Sequence, residues 1–123
     1  MEPVNVVVLQ NDSRVAKELF ASLQIHFNFM YLAKTLEEVR EAIPRYRAAV
    51  AVLDMELASR TEVEKLRREF PGVALVCTHR LADEEMWKDA VQAGASDLCF
   101  SADSHAIVTA ALRSTRATRS VAA

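Results

Sequence analysis

Five short apolar runs alternate with five amphipathic helical patterns, and this alternation constrains the fold more than any other feature of the sequence. The apolar runs are rich in β-branched residues and lack a polar face, which is typical of strands buried on both sides. Between the runs, apolar residues recur every three or four positions, as in helices that pack one face against a sheet. Strict alternation predicts parallel strands joined by right-handed crossovers, with helices on both faces of the sheet.

Capping residues and helix breakers set the boundaries of these elements. Strands are predicted over residues 4–9, 27–33, 48–53, 73–77 and 98–100. Helices are predicted over residues 14–24, 35–44, 59–70 and 83–93, followed by a last helix that begins at Asp103 or Ser104. Thr35 with Glu38, and Ser59 with Glu62, have the spacing of capping boxes. Pro44 is expected to stop the second helix and Gly94 to end the fourth in the left-handed conformation.

Length and composition indicate one globular domain. The chain has 123 residues, of which 51% are hydrophobic and 26% charged, and this is enough to bury a core. A formal net charge of -2 does not fit a domain that binds nucleic acid. No apolar run reaches the roughly 20 residues of a membrane span, and Met1-Glu2-Pro3 has no basic segment of a secretory signal. We therefore expect a cytoplasmic protein that contacts no membrane.

The apolar periodicity fails near the carboxyl end. Residues 1–112 are predicted to form the domain, and residues 113–123 a helix extension, a tail or a linker to an output domain. Arg113, Arg116 and Arg119 would make this end either a local basic patch or a solvated terminus.

Polar residues follow the predicted strands, and in open parallel sheets functional residues lie beyond the carboxyl ends of the strands. Three stretches around them, residues 49–55 (AVAVLDM), 75–78 (LVCT) and 83–97, resemble receiver domains of two-component response regulators. The resemblance covers roughly residues 4–112. It implies the flavodoxin-like (CheY-like) fold, a doubly wound five-stranded parallel sheet in the order 2-1-3-4-5 with five helices on both faces.

The resemblance also implies roles for the residues at the strand ends. In receiver domains an aspartate after the third strand accepts a phosphoryl group, and two acids after the first strand help to hold Mg²⁺. A hydroxyl residue after the fourth strand and a lysine after the fifth bind the phosphoryl oxygens. By position, Asp54 is the candidate phosphoacceptor and Thr78 the hydroxyl residue. The other family positions are substituted: Gln10 and Asn11 replace the acids, Ser101 the lysine, Ala102 the proline that follows it, and Leu98 the aromatic switch residue.

These substitutions predict an eroded site. Mg²⁺ prefers carboxylate oxygens, and an opposite charge at about 4 Å is worth about 4 kcal/mol at an effective dielectric constant near 20. Ser101 donates a hydrogen bond but carries no charge to stabilise a transferring phosphoryl group. We expect no cofactor and no enzymatic activity beyond, at most, phosphoryl acceptance and self-dephosphorylation at Asp54. Asp12 and Glu56 would together with Asp54 rescue a weak Mg²⁺ site, unless Asp12 caps the first helix and Glu56 points to solvent.

Two functions are consistent with these residues. The first is a degenerate pseudo-receiver that signals by binding a protein partner, either a histidine kinase or a downstream signalling protein. Trp87 and Leu98 are candidates for its partner face, although Trp87 alternatively covers the edge of the core. The second is an atypical receiver that a histidine kinase phosphorylates on Asp54 in a phosphorelay, with Mg²⁺ bound. A small-molecule-binding domain of the same fold is a more remote third possibility.

The two cysteines suggest no separate chemistry. Cys77 lies within an apolar run, where a thiol behaves as a small hydrophobic residue. Only two residues separate it from Arg80, three fewer than a cysteine phosphatase loop has between its cysteine and its arginine. Cys99 lies in the next predicted strand, so the two thiols are expected to be neighbours.

Overall fold

The computed structural model describes residues 4–122, with side chains up to residue 115, as one five-stranded sheet and five helices. The strands are β1 (Asn5–Leu9), β2 (Phe29–Ala33), β3 (Val50–Asp54), β4 (Ala74–His79) and β5 (Asp97–Phe100). The helices are α1 (Ser13–Leu23), α2 (Leu36–Arg45), α3 (Arg60–Glu69), α4 (Glu84–Ala93) and α5 (Ser104–Ala122). All neighbouring strands are parallel and their order is β2-β1-β3-β4-β5, which confirms the predicted doubly wound sheet.

The core consists of two apolar layers, one on each face of the sheet. Successive residues of a strand point to opposite faces, so Val7 of β1 packs in one layer and Val6 in the other. The first layer receives the apolar stripes of α2, α3 and α4, and the second those of α1 and α5. Because both faces are covered by helices, polar side chains gather where the strands end.

Three predicted helix ends are confirmed by hydrogen bonds. Ser59 and Glu62 form a complete capping box at the start of α3. The Asp83 side chain accepts the N–H of Met86 and caps α4. Gly94 ends α4 at a φ of 111°, a conformation that favours glycine because it has no Cβ.

Other local predictions need correction. The Glu38 carboxylate accepts the N–H of Lys34, so the Thr35 capping box is only half formed. The helix α2 runs one residue past Pro44, since a proline in the last turn removes only the hydrogen bond of its own missing N–H. The strand β2 begins at Phe29 rather than at residue 27, because the Phe27 N–H bonds to the Leu23 carbonyl in the turn after α1.

The carboxyl-terminal segment continues α5 to Ala122. Arg113 forms an ion pair with Asp97 at 3.3 Å, whereas the side chains of Arg116 and Arg119 lie outside the described residues, as do residues 1–3. The domain boundary at residue 112 stays a prediction. Across the part of the chain that the structure describes, no helix is both long and apolar enough to cross a membrane.

Candidate functional site

A cavity of about 230 Å³ lies at the carboxyl ends of the strands, where the topology predicts a site. Its wall consists of Gln10, Asn11, Asp12, Val15, Asp54, Glu56, Arg80 and Ser101. The sequence pointed to six of these eight residues. Val15 and Arg80 are additional, and Thr78 does not contribute to the wall.

Polar side chains that follow β1 accept backbone N–H groups at the start of α1. The Gln10 amide oxygen accepts the N–H of Asp12 at 2.9 Å. The Asp12 Oδ1 atom accepts the N–H groups of Arg14 and Val15 at 3.0 and 3.2 Å. Asp12 is therefore the N-cap of α1, the alternative to a metal-binding role that the sequence left open.

Asp54 ends β3 as a buried carboxylate. Its Oδ1 atom accepts the N–H of Glu56 at 2.9 Å, and its backbone pairs in register with Thr78 on β4. Burial raises the pKa of Asp54 above its ordinary value of 3.8 because the charged form loses hydration. The Glu56 N–H, the nearby His79 and a side-chain hydrogen bond with Gln10 each lower this pKa in part, while the Glu56 charge adds to the rise.

Glu56 forms an ion pair with Arg80. The Arg80 Nε atom donates to Glu56 Oε1 at 2.7 Å, and the Arg80 backbone N–H is 3.3 Å from the same oxygen. This hydrogen bond to Arg80 is the main reason that the pKa of Glu56 lies below its ordinary value. Glu56 therefore faces the cavity rather than solvent alone, and its charge is already compensated.

Ser101 lines the cavity from the turn after β5. Its N–H donates to the His79 carbonyl at 3.1 Å, which fixes the backbone against the end of β4. Its side-chain oxygen is buried and has no hydrogen-bond partner within the described part of the chain. Thr78 is also buried, with only 2% of its surface exposed, and its carbonyl accepts the N–H of Met55. Ser101 thus lines the cavity and holds a buried hydroxyl without a partner among the described residues.

The side chains at this end of the sheet do not fit Mg²⁺. Of the three carboxylates, Asp12 caps a helix and Glu56 binds Arg80. Gln10 supplies a neutral oxygen that already accepts a hydrogen bond, and hard divalent cations prefer charged oxygens. In residues 4–122, no three His, Cys, Asp or Glu side chains are grouped so as to hold a metal ion.

The candidate partner face lies on α4, β5 and the start of α5. Trp87 is 44% exposed, and its indole N–H donates to Asp97 Oδ1 at 3.1 Å. Asp97 also accepts the N–H of Leu98 and a hydrogen bond from Arg113, so it ties Trp87 to β5 and α5. Leu98 is buried in the core but borders the shallow groove beside Trp87. Phe100, which the sequence pattern did not assign to this face, is 54% exposed at the other end of the groove.

The two cysteines lie in neighbouring strands but on opposite faces of the sheet, so the prediction that their thiols are neighbours is wrong. In the register of β4 and β5, Cys99 is opposite Thr78 rather than Cys77. Cys77 consequently packs in one core layer and Cys99 in the other. Burial raises the pKa of the Cys77 thiol to about 12 and that of Cys99 to about 11, so neither is a reactive thiolate.

Arg80 is a cavity-lining residue that the sequence pattern did not assign to the site. Its position in the sequence suggested only a comparison with Cys77 in a phosphatase loop. The sequence nevertheless contains a signal for Arg80. It lies two residues after Thr78, the predicted hydroxyl residue of the site, and therefore at the same edge of the sheet. Its partner could not be named without the strand register.

Comparisons with known proteins identify the fold. No protein-family model matches the chain, and no curated protein matches it. Among solved structures, a response regulator from Thermotoga maritima is similar with a TM-score of 0.84 at 16% identity, over 94% of this chain and 99% of that one. A CheY-like response regulator receiver domain protein from Methanospirillum hungatei has a TM-score of 0.80 at 15% identity, over 97% and 98% of the two chains.

A third similar structure belongs to a much longer chain. NtrX from Brucella abortus, in complex with ADP, has a TM-score of 0.81 at 15% identity. The match covers 98% of this chain but only 29% of the NtrX chain. With five parallel strands in the order 2-1-3-4-5 and five helices, the chain has the fold of response-regulator receiver domains.

Proposed function

We propose that the chain is a receiver-like signalling module that acts by binding a protein partner rather than by metal-assisted phosphorylation of Asp54. One observation carries this proposal. The receiver fold is complete, but two of the three carboxylates at the site are committed, Asp12 to a helix cap and Glu56 to Arg80. The module is thus preserved as a scaffold while its phosphoryl-transfer chemistry is weakened.

The chemistry of phosphoryl transfer supports the proposal. Charge that develops on the transferred group requires cations or preorganised donors around it. Around Asp54 the cavity offers a neutral amide from Gln10, the Ser101 hydroxyl, and Arg80, whose charge Glu56 already compensates. This set stabilises a phosphoryl group much less than a metal ion and a lysine together would.

The surface around Trp87 supports binding of a protein. Trp87 and Phe100 border an open groove of about 400 Å³, and exposed aromatic residues are frequent anchors in protein interfaces. The partner we propose is a histidine kinase or a downstream signalling protein in the cytoplasm. Its binding would select one of two conformations of the module, as phosphorylation otherwise does. NtrX shows this fold within a longer chain, which suits fusion to an output domain.

A second candidate function is that of an atypical receiver phosphorylated on Asp54. The observation that favours it is the Ser101 side-chain oxygen, which is buried and has no partner among the described residues, in a residue that lines the same cavity as Asp54. A phosphoryl oxygen would satisfy that hydroxyl.

A genetic comparison in the source cell tests the proposed function. The transcript profile of a deletion strain is compared with those of strains carrying Asp54→Asn, Trp87→Ala or Ile25→Ala. Ile25 serves as the control, because it is an exposed apolar residue in the turn after α1, outside the groove beside Trp87. We expect Trp87→Ala to reproduce the deletion and the other two to match the wild type. An Asp54→Asn strain that reproduces the deletion would overturn the proposal.

A further inference from the structure

The groove beside Trp87 carries a negative charge. Four carboxylates line it, and none of the described residues in its wall is a lysine or an arginine. The four acids are Asp83, Glu84, Asp97 and Asp103. Among the described residues only Asp97 has a cationic partner, since it forms an ion pair with Arg113 at 3.3 Å, and the other three acids form none.

Two helix ends offset part of this charge but not all of it. Asp83 and Asp103 accept N–H groups at the starts of α4 and α5, where each helix dipole contributes about half a positive charge. With Arg113 compensating Asp97, about two negative charges remain on the groove. The carboxylate of Glu84 is the least engaged of the four, because it is exposed in the first turn of α4 and forms no ion pair with a described residue.

The aromatic side chains of the groove favour the same kind of ligand as its acids. Trp87 and Phe100 expose 44% and 54% of their surface, and the face of an aromatic ring attracts a guanidinium or ammonium group. The alkyl stem of an arginine or a lysine packs on apolar surface while its charged end reaches a nearby carboxylate. Because Asp97 accepts the Trp87 indole N–H at 3.1 Å, the ring is tethered and loses less freedom when a partner binds.

We propose that this groove binds a basic segment of the partner protein, one that presents an arginine or a lysine next to an apolar side chain. The inference rests on the proposed function and names the chemistry of the partner in it. The apolar side chain packs against Trp87 and Phe100, and the cation pairs with the carboxylate of Glu84. An acidic segment is rejected, because like charges brought together in an interface oppose binding.

The test selects peptides from a displayed random library on the full chain. Peptides that bind the wild type are retained if they bind more weakly to Trp87→Ala or Phe100→Ala, each shown to be folded by circular dichroism. Calorimetric titration then gives the dissociation constants of the retained peptides for the wild type, Glu84→Gln and Glu85→Gln. Glu85→Gln is the matched control, because Glu85 is the adjacent exposed acid in the first turn of α4 and does not line the groove.

We expect the retained peptides to be enriched in arginine or lysine beside apolar residues. Glu84→Gln should raise their dissociation constants about 1.5- to 5-fold, the effect of losing one solvent-exposed charge pair, and Glu85→Gln should leave them unchanged. Loss of the aromatic anchor in Trp87→Ala should weaken binding about 30-fold. During titration of the wild type, the largest amide NMR shifts should fall within residues 82–87 and 97–106, which border the groove.

Three results would overturn the inference. One is a set of retained peptides that are acidic or uncharged, since the groove would then bind a partner of different chemistry. Another is a selection in which no peptide depends on Trp87 or Phe100. The third is a wild type that dimerises and is made monomeric by Trp87→Ala, since a second copy would then occupy the groove. None of these results involves Asp54, so failure here is distinct from failure of the proposed function, which is measured in the Asp54→Asn strain.

Discussion

Substitution of Asp12 distinguishes between two roles of this residue, as the N-cap of α1 or as a ligand of a metal ion. Its Oδ1 atom accepts two N–H groups at the start of α1, at 3.0 and 3.2 Å, and both hydrogen bonds are exposed to solvent. Loss of such a cap typically costs about 1 kcal/mol of the free energy of unfolding. For a domain of this size, that is a fall of about 4 °C in melting temperature. We therefore expect Asp12→Ala to be destabilised by this amount.

The Asp12→Asn variant makes the experiment decisive. Asparagine caps helices about as well as aspartate, so we expect Asp12→Asn to lie within about 0.5 kcal/mol of the wild type. A neutral amide would not replace a carboxylate ligand of Mg²⁺. The assay is urea unfolding of each variant with and without millimolar Mg²⁺.

Asp83→Ala serves as the control for capping alone. Asp83 caps α4 by accepting the Met86 N–H at 2.9 Å, and it lies outside the acidic cavity. We expect a loss of about 1 kcal/mol that does not depend on Mg²⁺. The capping role of Asp12 is refuted if Asp12→Asn is as unstable as Asp12→Ala, or if Mg²⁺ stabilises the wild type more than Asp12→Asn.

Three further substitutions test other parts of the structure. Because the folded-state pKa of Asp54 is raised, its charge opposes folding at neutral pH. Asp54→Asn should therefore unfold at higher urea concentration than the wild type at neutral pH, and this advantage should vanish as the pH falls below 3.8; an equal advantage at both pH values would refute the assignment. Gly94→Ala should lose about 1–2 kcal/mol in urea unfolding, because its φ is 111° and a Cβ would lie 2.5 Å from Arg67. Unchanged stability would contradict this geometry. Asp97→Ala should free the indole of Trp87, the only tryptophan, and increase acrylamide quenching of its fluorescence, with a change in stability of about 1 kcal/mol or less. Unaltered quenching would show that Asp97 does not hold Trp87.

The fold could be predicted from the sequence because its signals are local. Alternating apolar runs and helical patterns specify the layers, and the caps at Ser59, Asp83 and Gly94 act within one turn of the helix. Errors at Thr35 and Pro44 are confined to single hydrogen bonds, since a helix end has several ways to satisfy its N–H groups.

The candidate site could be predicted only in part, because its contacts depend on the strand register. The topology alone gathers Gln10, Asp54 and Ser101 at one sheet edge. The pairing of Glu56 with Arg80 follows from the register of β3 and β4, which no local pattern specifies. The placement of Cys77 and Cys99 on opposite faces has the same cause, since one residue of register exchanges the two faces of a strand.

Intact-protein mass spectrometry after incubation with a small-molecule phosphodonor and Mg²⁺ tests most directly whether Asp54 has lost its phosphoryl chemistry. The wild type and Asp54→Asn are compared, and circular dichroism establishes that both are folded. We predict no phosphate-sized gain in mass for either protein. A gain in the wild type that is absent from Asp54→Asn would contradict the proposed function and would establish Asp54 as a working phosphoacceptor.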